Sequence, residues 1–250
     1  MRSPSQIFVN AVFTSFALAA VAAGCGGAQD APPAPIAMHF DDMYIAQIPI
    51  DQKQSMVQSQ QEWSIAKMEN AKAEADLNDA TTQISIAGND RKRAQIDVES
   101  KVSAKQAADA SADKTRINDA TKDLHYAEDN QKAADARVKY LEAYRDYLRV
   151  VLRDSQNKMY WRESQYELAK AQLGEKSGKA PKGVSYDAFP KQEQDRNQRA
   201  ASSKSKVDEA KGHALSARDS WRKAQDDADR SSGRPSSFTD PMASKSASNH

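Results

Sequence analysis

Between Ala66 and Ala108 every seventh residue is alanine except Lys101: Ala66, Ala73, Ala80, Ala87, Ala94 and Ala108 form one line, and Trp63, Leu77, Ile84 and Val98 fall on a second. Apolar residues three and four apart, repeated every seven, make a coiled-coil seam. A seam of alanine commits the chain to long helices packed lengthwise, with backbones closer than leucine would permit. The breakers agree: no proline lies between Pro49 and Pro181, and Gly88 is the sole glycine between Gly27 and Gly174. A lone glycine costs a helix about 1 kcal/mol. The alanine line passes through Gly88 in phase, so the spacing predicts continuous helix there; a turn at Gly88-Asn89 is the alternative.

A second seam runs through Ile117, Leu124, Val138, Leu152, Met159, Tyr166 and Leu173, with Ala120, Ala127, Ala134, Leu141, Leu148 and Ala169 beside it. Its phase does not continue the first, so the chain is expected to reverse within 109–116, where no large apolar residue occurs. The arms, 51–108 and 117–173, would each extend about 85 Å at 1.5 Å per residue. That register sets Trp63 level with Trp161, and Met56 level with Leu168 and Ala169. Gln131, Arg145 and Arg162 interrupt the seam, and polar residues at such positions fix register.

Gly174 is expected to end the second arm and open a linker over 174–189, whose Gly174 to Lys179 stretch lacks the spacing of a phosphate-binding loop. A third helix follows over 190–230 on the line Ala200, Val207, Ala214, Trp221, Ala228. Tyr140, Tyr144, Tyr147 and Val151 form an extra stripe on the middle arm, which gives that arm two neighbours and sets Trp221 close to Tyr140 and Tyr144. The Ser-rich tail, 231–250, is expected to be disordered. The fold class is all-α: a long antiparallel Ala-rich helical hairpin, or coiled coil, with a third packed helix and disordered termini.

The chemistry is read mainly by exclusion. With 36 basic against 35 acidic residues the chain lacks the basic excess of a nucleic-acid binder. His39, His125, His213 and His250 are far apart and offer no ligand pair, and no catalytic, cofactor-binding or metal residues stand out. The carboxylates read as solvated faces, because acid–base chemistry needs a cleft that shifts their pKa. The chain is expected not to be an enzyme and to take no cofactor or small-molecule substrate.

The N-terminus carries the address. Arg2, the apolar run Ile7 to Val21, and Ala22-Ala23-Gly24 before Cys25 form an export signal. Asn10, Thr14 and Ser15 interrupt a run that a membrane span would need to keep apolar for about 20 residues. These residues resemble the lipobox of the bacterial lipoprotein family, with Ala22 where leucine is most frequent; together with the seams they are similar to a periplasmic coiled-coil type. The resemblance implies lipidation at Cys25, which would consume the one cysteine. It also implies an outer-membrane anchor facing the periplasm, since Gly26 rather than Asp follows. Residues 26–37 read as a Pro/Gly-rich tether, and Phe40, Met43, Tyr44, Ile45, Ile48 and Ile50 as a short segment docked on the helices. The expected role is a structural or adaptor lipoprotein of the Gram-negative envelope, meeting an unidentified envelope protein through its flanks or tip. A periplasmic chaperone-like module and an accessory subunit of an export or efflux assembly are the alternatives.

Overall fold

The computed structural model describes residues 31–178, 181 and 183–243, and Pro32 onwards belongs to one compact unit. Cys25 and the signal segment lie outside the described residues. Among the described residues, four α-helices and a 3₁₀ turn follow in order: α1 (Asp42–Ala46), the turn Ile50–Gln52, α2 (Gln54–Ala110), α3 (Lys114–Lys176) and α4 (Ala188–Ser232). At 57 and 63 residues, α2 and α3 extend about 85 and 95 Å.

The alanine line is the buried face of α2: Ala66, Ala73, Ala80, Ala87, Ala94 and Ala108 are all buried, and Met56 is the one larger buried residue beside them. Lys101, the exception, reaches across to Asp123 at 2.9 Å. The helix runs through Gly88, where an added Cβ would meet nothing. It ends where the phase break places the reversal. The Ser111 hydroxyl donates to the Ala108 carbonyl, and Asp113 caps α3 by accepting from the Thr115 and Arg116 amides. Between them Ala112 takes the left-handed conformation, φ 54°, usually left to glycine.

Polar pairs pin the hairpin's register. Arg137 Nη2 donates to Asp90 Oδ2 at 2.6 Å, Ser155 Oγ to Asn70 Oδ1 at 3.1 Å, and Arg162 Nη1 to Glu62 Oε2 at 2.8 Å. Arg162 thus acts as a register residue, whereas Arg145 pairs with its neighbour Asp146. Trp63 lies level with Trp161, next to the Glu62–Arg162 pair, but its ring stacks on Tyr166, 5.6 Å away. Trp161 lies on the face of α3 turned to α4, and its Nε1 donates to Glu193 at 2.7 Å.

Because α3 packs on α2 along one face and on α4 along another, it carries most of the core. One apolar cluster, at the waist, joins Ala80 and Ala87 to Leu141, Tyr140, Tyr144, Leu148, Ala214 and Trp221; the other, at the base, joins Met56, Leu173, Ala171 and Phe189 to Phe40, Ile45 and Ile48. Tyr140 and Trp221 stack at 5.4 Å, the pairing the tyrosine stripe predicts. The first line of α4, which faces α3, includes buried Ala200, Ala214, Trp221 and Ala228.

Some boundaries differ from expectation. Gly174 does not end α3, which continues to Lys176 and stops at Gly178, φ 66°. Gly174 is helical, and it is glycine because Phe40 lies against it: a Cβ there would collide with the ring. The tether expected over 26–37 is bound from Pro35, whose carbonyl accepts from Arg196, and Ile36 is buried. The tail, expected to be disordered from 231, instead continues α4 to Ser232, turns at Gly233 and returns along the bundle, with Asp240 and Met242 buried. A buried carboxylate holds it, which composition alone does not disclose. Residues 244–250 lie outside the described residues.

Candidate functional site: clamped ends and a bare flank

Two buried ionic clusters, at the base and the waist, fasten the segments before α1 and after α4 to the long helices. At the base, Glu167 and Lys170 stand one turn apart on α3 and are 4% and 3% exposed. Glu167 Oε2 accepts from the Phe40 amide at 2.6 Å, while Lys170 Nζ donates to Glu167 Oε1 at 2.9 Å and to Asp42 at 2.7 Å. Burial pulls the Lys170 ammonium down, but the bonds to Asp42 and Glu167 outweigh it and hold the group above the ordinary lysine value. Gln192 of α4 reads the extended backbone just before: its Oε1 accepts from the Ala37 and Met38 amides and its Nε2 donates to the Met38 carbonyl. Nearby, burial raises the Glu163 carboxyl above its usual range.

Gly174→Ala tests how tightly this clamp is built. The new methyl has to displace the Phe40 ring, so the docking segment is expected to lift and lose about 1.5–3 kcal/mol of burial. Limited proteolysis should then cut within 35–48 while the helical content by circular dichroism stays near that of the parent.

At the waist Asp240 is the central group. Its Oδ1 accepts from Tyr140 Oη at 2.6 Å and from the Met242 amide at 2.9 Å; its Oδ2 accepts from Arg218 Nε and, at 3.0 Å, from Arg222 Nη2. Burial pushes the Asp240 carboxyl up, yet the bonds from Tyr140, Met242 and Arg218 prevail and hold it below the carboxylate range. Burial and the neighbouring carboxylate push the Tyr140 phenol far up. A depressed folded-state pKa stabilises above the unfolded value, near 3.9, and the gain is lost as pH falls through the folded value. The tail is therefore expected to hold from pH 7 to about 5 and to loosen below about 4. Trp221 fluorescence and amide exchange over 234–243 should register this before the helices melt.

The bare surface lies on α2. Ile65, Met68, Ile86 and Ile96 are exposed, Met68 to 65%, on a helix that packs on α3 alone among the long helices. Ile65 and Ile86 are three heptads apart, Met68 and Ile96 four, and the lines are offset by three residues. They therefore form a second, sparse seam on the outer face, interrupted by Lys72, Asp79, Asn89 and Arg93. Beyond Ser231, which donates to Asp129 at 2.6 Å, α4 ends, and the hairpin continues as two helices for about 20 Å.

Sequence reasoning placed the tyrosine stripe and the three seams but treated the charged residues as solvated. Asp129, Asp154, Glu167, Lys170 and Asp240 are buried. One signal was present: stepping by seven from Tyr140 through Tyr147 leads to Asp154, whose carboxylate accepts from buried Ser203 of α4. His39 lies 3.8 Å from Glu167 and His125 3.6 Å from Asp129, and among the described residues no group of three His, Cys, Asp or Glu is arranged to hold a metal ion. No described helix is long and apolar enough to cross a membrane. No family model matches the chain, and no curated protein and no solved structure matches it.

Proposed function

We propose that this chain is a non-enzymatic structural or adaptor lipoprotein of the Gram-negative envelope, anchored in the outer membrane through acylated Cys25 and presenting its helices to a periplasmic protein. Several acyl chains make a durable anchor, at about 0.8 kcal/mol per buried CH₂. The observation that carries this reading is where the anchor-proximal chain is fastened. Residues 35–48 dock at the base, on α3 and α4, and from Glu167 the hairpin runs about 80 Å to its reversal. An anchor at one end leaves the tip and the outer face of α2 turned toward other proteins. The sparse apolar seam on α2 suits a partner helix better than an unfolded client, because charged residues interrupt it and leave no wide apolar patch.

Cell fractionation and site-specific photo-crosslinking test this together. The mature protein is expected in the outer-membrane fraction, moving to the soluble fraction on Cys25→Ala. A crosslinker at position 68 or 96 should trap a discrete partner, and one at exposed position 204 or 211 of α4 should not. Recovery of the unaltered protein soluble and unacylated would sink the proposal.

A further inference from the structure

We propose that the cleft between α3 and α4 is a recognition site for a partner's extended segment bearing an aromatic side chain and, two residues later, a carboxylate, and that the chain's own tail fills it as a tethered competitor. The tail shows what the cleft selects. Phe238 meets Trp221 edge-on at 5.1 Å and lies under the Arg137 guanidinium at 5.1 Å. Two residues on, the Asp240 carboxylate accepts from Tyr140, Arg218 and Arg222, besides the tail's own Met242 amide.

Those donors stand on helices held by their own seams, so they stay in place when the tail leaves. The vacated cleft then presents two guanidinium groups and a buried phenol with no anion between them. Charge-assisted bonds to a carboxylate are the strong kind, and a half-buried cationic pair without its anion is costly; the empty site therefore favours a replacement of the same chemistry.

The tail is also an incomplete fit. Beside Phe238, where the cleft opens onto α2, a hollow of about 290 Å³ is lined by Gln83, Ile86 and Ala87 of α2 and by Arg137 of α3. Gln83 Oε1, Arg137 Nε and Trp221 Nε1 are buried there and nearby with no hydrogen-bond partner. Unmade bonds of buried groups are expensive, and a segment that reached them would outbind the tail residue for residue. What favours the tail is attachment: joined through Gly233, it competes at an effective concentration of the millimolar order.

The test uses the full chain opened by Phe238→Ala with Asp240→Asn, and a fluorescein-labelled peptide of residues 234–243 as probe. By fluorescence anisotropy the opened chain is expected to bind the peptide at least about tenfold more tightly than the unaltered chain. A peptide with Asn in place of Asp240 should fail to bind, and Arg218→Gln in the opened chain should abolish binding. Circular dichroism checks that the helices persist; if they do not, Asp240→Asn alone, which keeps Phe238 and Met242, serves as the opened chain. Absence of binding to a helical opened chain, or binding indifferent to Arg218, overturns the proposal. So does a full chain that is dimeric by light scattering and becomes monomeric on opening, since the occupant would then be the tail of a second copy.

Discussion

Lys170→Met is expected to lower the stability of the folded chain by about 3–5 kcal/mol, the loss typical when one partner of a buried ion pair is removed. The methylene stem is replaced nearly in volume, so the loss is electrostatic. Glu167, itself buried, would keep the Phe40 amide but lose its cation, and Asp42 would lose its contact with α3. Adding Glu167→Gln should recover part of the loss, and urea denaturation of both single variants and the double variant measures the coupling. The exposed pair Lys105–Asp109 is the control: Lys105→Met should change stability by no more than about 0.5 kcal/mol. The pH dependence has a definite sign. Because the folded-state pKa of Lys170 is raised, its contribution is fully present below about 10.4 and disappears as pH climbs through the folded value.

Leu141→Ala should cost about 2–5 kcal/mol. Leu141 is 0% exposed at the waist, in one cluster with Ala80, Ala87 and Val138. Alanines cannot swing into the space a leucine vacates, so the cavity persists and the loss should lie toward the upper part of that range. Ile96→Ala removes a side chain 64% exposed and should shift stability by about 0.5 kcal/mol or less. Thermal or urea unfolding of the two variants side by side tests whether the hairpin is held at the alanine seam rather than by its outer face.

The alanine line made the hairpin legible. Ala66 to Ala108 repeat at a fixed step, the register breaks once, and helix reversal follows at Ser111–Asp113, next to the break. Trp221 meeting Tyr140 was readable for the same reason, since a second apolar stripe on one helix requires a second neighbour. Trp161, Gly174 and the tail were less readable. Each depends on residues far away in sequence: Trp161 on Glu193, Gly174 on Phe40, Asp240 on Tyr140 and Arg218. Lys170 and Glu167 look in sequence like any exposed i, i+3 pair, such as Arg93 and Asp90, and nothing local separates the two cases.

The sequence by itself determined the number, length and phase of the long helices, because a seven-residue repeat is a property of neighbours along the chain and fixes which face of a helix seeks burial. Only the tertiary structure decided which charges are buried and where the segments before α1 and after α4 are held. Burying an ion is costly unless partners surround it, and those partners arrive from other helices, so their presence is settled when the elements pack. The base and waist clamps exist because α3, lying between α2 and α4, has its second face covered by α4 and by the two returning ends.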